Sequence, residues 1–392
     1  MDAQLLNSIV TWPLMLMAAW VAGEWLFGRW RLPRVFSYSV VGLLLGGIGL
    51  PQALANHPAL GLIGNMALAL TLFELGYRVN PRWFRHNPWV LATGIAQSVL
   101  TFFGVIWLAG RFGVAMDQRL VIAVLCVATS PVAVLHAVHE LHSSGQVTER
   151  LLHLTALNCL IAVLLLRGVV GYWHLETSGD LGTAAFNSIY VIVLSLLAGA
   201  AFGVIAPLVN RVATSSQATT VTFALAVLLL TGIAQSLHLS PLLAALAFGA
   251  LARERRIVLS HAQRNFGALG DLLTVFLFIY IGSLFSWQGF LGSLALGAAA
   301  LVLRTAAHVL VNLSIAHASG TTWRKGALTG LALMPMTAFA MLLLEESRHY
   351  GFDLARQSLP MLVGLMVLLE VLGPLVTRRA LLWAHESMPE EN

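Results

Sequence analysis

Apolar runs of 18 residues or more recur from one end of the chain to the other, separated by short connections that hold most of the charge. A run of that length, rising about 1.5 Å per residue as an α-helix, crosses the hydrocarbon layer of a bilayer. The alternating ten-residue segments of a transmembrane barrel do not occur. The pattern predicts thirteen spans, at roughly 8–28, 35–54, 59–77, 89–110, 119–139, 148–172, 186–208, 218–236, 239–252, 266–286, 290–314, 326–346 and 358–377.

Composition agrees with this reading. The chain is 58% hydrophobic and only 10% charged, against about 25% charged in soluble domains. The expected class is an all-α polytopic membrane protein in contact with lipid. Its formal charge of +5 reports topology and lipid contact, not nucleic acid. Cys126 and Cys159 both lie inside apolar runs, so neither a disulfide framework nor a zinc-type spacing is present. No metal, cofactor or nucleophile–base pair is expected, and the chain does not read as an enzyme. The opening stretch MDAQLLNSIVTWPLML has no basic n-region and reads as part of the mature fold.

The basic residues set the direction. With the N-terminus outside, the inner side holds Arg29, Arg31, Arg34, Arg78, Arg82, Arg85, Arg150, Arg211, Arg253, Arg255, Arg256, Arg264, Arg324, Lys325, Arg378 and Arg379, which is sixteen. The outer side holds five, Arg111, Arg119, Arg167, Arg348 and Arg356, and Arg304 lies within a span. This segregation predicts an odd number of spans, the N-terminus outside and the C-terminus cytoplasmic. The expected location is a bacterial inner membrane. Residues 1–379 form one membrane domain, and residues 380–392 a short cytoplasmic tail.

Span 5 contains CVATSPVAVL, in which Pro131 removes a backbone donor at membrane depth. Broken backbone is tolerated there only where protein or a cavity surrounds it. Span 12 contains LMPMTAF, with Pro335 placed 204 residues after Pro131. Gly46 and Gly249, in spans 2 and 9, are 203 apart, and Gly76 and Gly282, in spans 3 and 10, are 206 apart. Each pair is seven spans apart, so its members run in opposite directions. The predicted fold is therefore two inverted repeats of six spans, with crossed broken helices at spans 5 and 12 and one linker span at 186–208. Thr129 and Ser130 either repair the broken backbone or face an ion.

In order and spacing, RLPRVFSYSVVGLLLGGIGLP, LFELGYRVNPRWF, ATSPVAVLHAVHEL, LSPLLAALAFGALA and FLFIYIGSLF resemble the cation/proton antiporter superfamily of sodium/proton exchangers and potassium-efflux transporters. The resemblance implies a homodimer with a scaffold at about 8–77 and 218–286. It implies a moving core at about 89–172 and 290–377 that carries an ion past the crossing.

Two departures bear on function. The family's span 6 carries Asn-Asp or Asp-Asp, whereas this chain has Asn158 followed by Cys159. A thiol, with an ordinary pKa of about 8.5, is neutral at pH 7 and a poor ligand for a hard cation. In span 12, Thr337 and Ala338 stand where the family has Glu or Arg. Arg304 fits the family's basic residue on span 11 and needs a partner inside the membrane. Glu370 on span 13 is the expected partner or a replacement proton carrier, with Glu74 and Asp271 as other acids; the alternative is that Arg304 bonds the freed carbonyls of the broken helices and Glu370 makes polar contacts elsewhere. Thr129, Ser130, Asn158, Cys159, Arg304, Thr337 and Glu370 thus form the candidate ion pathway.

Smaller signals are His136, His139 and His142 on one stripe, read as polar residues of a helix end, with a proton sensor or a metal site as the alternatives, and His308 one turn from Arg304, which could line the same cavity. Trp83, Trp89 and Trp287 fit an interfacial belt, and Glu345 and Glu346 a solvated outer end. The expected function is proton-coupled exchange of Na⁺ or K⁺. The alternative, which rests on Cys159, is a transporter fold that moves another solute or serves as a membrane effector or sensor.

Overall fold

The computed structural model describes residues 3–47, 58–178, 181–209, 215–255, 259, 266–285, 290–348 and 354–387. All the regular structure among them is helical: α1 (Ala3–Trp30), α2 (Arg34–Gly47), α3 (Pro58–Arg78), α4 (Pro81–His86), α5 (Pro88–Arg111), α6 (Met116–Val127), α7 (Pro131–Glu140), α8 (Gln146–Ser178), α9 (Leu181–Val209), α10 (Ser216–Ser236), α11 (Pro241–Glu254), α12 (Gly267–Leu284), α13 (Phe290–Ala316), α14 (Trp323–Ala332), α15 (Thr337–Arg348) and α16 (Leu354–Trp383). Ten of these segments are long and apolar enough to cross a membrane, with α6 and α7 counted together, and α14 with α15 makes an eleventh if taken as one bent span. Every predicted span coincides with a helix or a broken pair. However, α2 and α11 have 14 residues each, about 21 Å at 1.5 Å per residue, short of a hydrocarbon layer of about 30 Å. The predicted end of span 2, and Trp287, lie outside the described residues.

Helix α5 shows why this chain folds in lipid. Its buried face includes Thr93, Gln97, Ser98 and Thr101, and its outer face exposes Trp89, Leu91, Ile95, Val99, Phe103 and Trp107. Polar side chains turn inward, where Gln97 meets Asn158 and Asn312, and apolar ones turn outward. That is the reverse of a surface helix in water and the arrangement a hydrocarbon solvent imposes. Trp89 lies exposed at the helix start, as an interfacial residue should, but Trp83 instead packs on the His153 ring, with centroids 4.2 Å apart.

The prolines break the helices where the sequence places them. Pro131 occupies the first position of α7, and Ala128 and Ser130 before it are extended; Pro favours that position because its missing N–H is not needed there. The segment between α14 and α15 is likewise non-helical, and the two helices are bent by 48° at it. The breaks touch, since Ser130 N–H donates to the Pro335 carbonyl at 2.7 Å.

Glycines set the closest backbone approaches. A Cβ on Gly46 of α2 would overlap the Gly282 carbonyl of α12. A Cβ on Gly249 of α11 would overlap the Phe73 carbonyl of α3, and one on Gly76 of α3 the Leu246 carbonyl of α11. Under the offsets read from the sequence, which pair Gly46 with Gly249 and Gly76 with Gly282, the α2–α12 contact becomes the α3–α11 contact.

The C-terminal segment is more than a tail. Glu386 is buried, and its carboxylate accepts the backbone N–H groups of Val147 and Thr148, each at 2.9 Å, and the Thr148 hydroxyl at 3.0 Å. It caps the first turn of α8 from 238 residues away, satisfying donors that no earlier turn can reach and complementing the positive end of the helix. Glu386→Ala is expected to cost about 1–2 kcal/mol, the range of a lost N-cap, and to lower the thermal unfolding midpoint in detergent. Gly249→Ala should cost about 1–3 kcal/mol or more, because the added methyl must push α3 and α11 apart. Reduced yield of folded protein by size-exclusion chromatography would register it.

Candidate functional site

Two broken spans leave carbonyls with no helical partner. In an unbroken helix Cys126 C=O would accept from Ser130 N–H, but that N–H goes to Pro335. Arg304, on the buried face of α13, takes up the freed acceptors. Its Nε donates to Cys126 C=O at 2.7 Å, Nη1 to Met334 C=O at 2.7 Å, and Nη2 to Ala128 C=O at 2.7 Å and Leu333 C=O at 3.1 Å. A longer contact of 3.4 Å joins Nη2 to the Thr129 hydroxyl. The side chain has no solvent exposure and is the largest fully buried one among the described residues. Two helix C-terminal ends, those of α6 and α14, therefore converge on one guanidinium.

This arrangement corrects the predicted pairing of Arg304 with Glu370, because the guanidinium is already bonded to backbone. Glu370 accepts the Ser39 hydroxyl of α2 at 3.0 Å instead. Thr337, the first residue of α15, lies beside it and also donates to the Met366 carbonyl at 3.1 Å. Glu370 is buried, and it is the one buried glutamate among the described residues for which no ion pair is found. Glu74 is held by Arg78 and His139, at 2.9 and 2.8 Å, at the opposite end of α7 from the crossing. Glu346 is also buried and pairs with Arg167 at 3.3 Å, so it does not belong to a solvated outer end.

The residues predicted around span 6 do come together. Asn158 donates from Nδ2 to the Thr129 hydroxyl at 2.9 Å, and the Cys159 thiol donates to the Thr129 carbonyl at 3.2 Å. Sequence reasoning missed the rest of this chain. Asn312 of α13 donates to Gln97 of α5 at 2.8 Å, and Gln97 donates to Asn158 Oδ1 at 2.9 Å. All these groups are buried and uncharged. A polar stripe at positions 93, 97 and 101 in an otherwise apolar helix was the available signal for Gln97. The Ser130 hydroxyl, by contrast, is buried without a partner, as are both ring nitrogens of His308. No group of three or more metal-type ligands occurs among the described residues.

The arrangement can hold a fixed positive charge between two backbone breaks, and it keeps a carboxylate apart from that charge. The crossing itself presents hydroxyl, amide and thiol groups, with no carboxylate in direct contact with Arg304. Among the described residues, the buried carboxylate for which no ion pair is found is Glu370, where α16 meets α2 and the start of α15.

Comparison with known proteins places these features. Residues 14–383 match the family model described as sodium/hydrogen exchanger, transmembrane. A structure of the sodium proton antiporter MjNhaP1 from Methanocaldococcus jannaschii at pH 8 is similar over 97% of this chain and 96% of that one, with a TM-score of 0.66 and 13% identity. An electron-microscopy structure of the same antiporter is similar over 98% and 96%, with a TM-score of 0.73 and 13% identity. At that identity the likeness concerns the fold.

Arg304→Met should strand four carbonyls at membrane depth, and loss of a buried charge's interactions typically costs about 3–5 kcal/mol. Arg304→Lys keeps the charge but cannot span both breaks with one ammonium. The expected order of thermal midpoints in detergent is Arg, then Lys, then Met. Equal midpoints for all three would show that the breaks are held by something else.

Proposed function

The chain belongs to the sodium/hydrogen exchanger transmembrane family, and from that premise we propose that it exchanges protons for a monovalent cation, Na⁺ or K⁺, with Glu370 carrying the proton. Membership makes it an integral membrane transporter of the cation/proton antiporter type, not an enzyme. The observation that carries the proposal is the isolation of Glu370, which is buried and bonded by Ser39 without an ion pair. A carboxylate with no fixed countercharge can change protonation without breaking a salt bridge, and a cation can replace its proton. Its place beside the first residue of α15 also sets it near a positive helix end.

In this reading α1–α3 and α10–α12 form the scaffold, α5–α8 and α13–α16 the core, and α9 the linker. The exchanged glycine contacts between α2 and α12 and between α3 and α11 support an inverted repeat. Ser39 then belongs to the scaffold and Glu370 to the core, so the proton carrier lies on the surface along which the two move. The chain works as a homodimer through its scaffold, surrounded by lipid. It sits in a bacterial inner membrane with the N-terminus outside, following the distribution of Arg and Lys.

The neutral set Thr129, Asn158 and Cys159 favours the second reading, a transporter fold with other work. Inside-out vesicles with a pH-sensitive dye separate the two. Adding Na⁺, K⁺ or Li⁺ is expected to dissipate the proton gradient, and Glu370→Gln to slow that exchange about 100-fold or more, the scale of losing a proton-transfer group, while the protein stays folded. Vesicles that contain folded protein and give no response between about pH 6 and 9, where histidine and raised carboxylates titrate, would favour the second reading. Exchange that appears only in Cys159→Asp would show that the native chain has given the activity up.

A further inference from the structure

Helices α5 and α13 pack antiparallel, and two contacts set their register. Asn312 donates to Gln97 at 2.8 Å, and a Cβ on Gly104 would lie 3.0 Å from the Leu303 side chain. To within a residue, Leu100 therefore stands level with His308, and Arg111 with Gly297. Beside this contact runs a groove of about 660 Å³, lined by Gly104, Ala298, Ala299, Val302, Ala306 and Ala307 and closed at its deep end by Leu100 and Leu310. Every side chain that lines it is apolar.

Small residues in a membrane helix ordinarily let two backbones meet, as Gly46, Gly249 and Gly364 do. Here they do not. The nearest group to Gly104 is a side chain, and Ala306 is exposed. The furrow offers water no polar partner, and left empty it would forfeit dispersion contacts along its lining. Along α13 the lining extends from Ala298 to Leu310, about 18 Å at 1.5 Å per residue. That is a little more than half of a hydrocarbon layer of about 30 Å, the depth of one leaflet.

The two ends of the groove differ. Leu100, Gly104, Trp107 and Arg111 recur at steps of four, three and four residues and share one stripe of α5. Trp107 is exposed, and the Arg111 guanidinium lies 5.5 Å from its ring centroid, turned back along the stripe toward the groove. A cation and an amphipathic ring thus stand at the mouth, level with Ala298, and apolar surface continues below them.

We propose that this groove is a binding site for one phospholipid, with an acyl chain laid along α13 and the phosphate held by Arg111. The planar guanidinium fork matches phosphate oxygens, and Trp107 sits where aromatic rings meet lipid headgroups. Leu303 belongs to the groove wall and precedes Arg304, so the bound chain braces the helix that holds the crossing. The inference goes beyond the exchange reading and needs only that α5 and α13 lie in the bilayer.

Photolabelling of full-length protein in nanodiscs tests it. One probe is phosphatidylglycerol with a diazirine midway along an acyl chain, and the other is diacylglycerol with the same chain. Mass spectrometry of the digested protein locates the adducts. Phosphatidylglycerol is expected to label residues 298–310 several-fold more than diacylglycerol does. The two should label residues 88–96 equally, where Leu91 and Ile95 also face lipid. Arg111→Gln should reduce the phosphatidylglycerol signal on residues 298–310 to the diacylglycerol level, with partial recovery in Arg111→Lys. Ala299→Leu combined with Ala306→Leu fills the groove and should remove the excess label. Arg111 is exposed, so its variants keep the test decisive if the filled variant does not fold. Equal labelling of residues 298–310 by the two probes, or a signal unchanged in Arg111→Gln, would overturn the proposal. So would the absence of any label there, which would show that protein, a second copy of the chain included, covers the groove.

Discussion

Arg304 joins two interrupted helices at membrane depth, and the crossing depends on that joint. A helix C-terminus carries roughly −0.5 of an elementary charge. Two such ends, those of α6 and α14, meet the guanidinium through Cys126, Ala128, Leu333 and Met334. Together they supply about one negative charge against one positive, with short bonds throughout. The desolvation cost of a buried ion is thus met by backbone dipoles that would themselves be costly without a donor. The guanidinium and the breaks each require the other, so neither a carboxylate nor a bound ion is needed to keep the crossing neutral.

That neutrality changes where exchange chemistry can sit. An aspartate at position 159 would point toward the Thr129 carbonyl, which the Cys159 thiol meets as a donor. A thiol fits an acceptor, whereas an ionised carboxylate would face another oxygen. The Asn312–Gln97–Asn158–Thr129 chain continues the same logic with groups that do not titrate. The buried carboxyl group without an ion pair stands instead at Glu370, against Ser39 of α2. In the proposed reading the coupling carboxylate has moved from the centre of the crossing to the edge where core meets scaffold.

Much of the fold was legible because bilayer solvent writes a strong pattern. Span positions, the two proline breaks and the importance of Arg304 follow from hydropathy, from the missing proline N–H and from the rarity of charge in hydrocarbon. The sequence offered both a carboxylate and the freed carbonyls as partners of Arg304 and could not choose between them, because carbonyl oxygens belong to every residue and leave no mark on composition. The intuitive rule that a buried arginine seeks a carboxylate pointed to Glu370, and the freed backbone won. Glu386 was unreadable for another reason. Its cap on α8 joins residues 238 positions apart, and a helix start capped from so far along the sequence has no local signature. The histidine stripe read as ordinary interfacial polarity, because Glu74 and Arg78 lie some sixty residues away and only the packing of α3 on α7 brings them in.

The kinds of contact differ between and within the two proposed units, and this bears on which surfaces can move. Within the scaffold, α2 meets α12 and α3 meets α11 backbone to backbone at Gly46, Gly76, Gly249 and Gly282. In the core, α13 meets α16 the same way at Gly297 and Gly364. Such contacts rest on dispersion at van der Waals distance and lose most of their energy over a small separation. Between the units the specific contacts named here are Ser39 with Glu370, Arg34 with Glu140, Thr274 with His136, and Glu74 with His139. Each of these can be exchanged for water or for another polar partner at modest cost. Each of the four involves an ionisable side chain. In the proposed reading, a surface held by exchangeable polar contacts, lying between two units packed backbone to backbone within themselves, is where a proton would be converted into displacement.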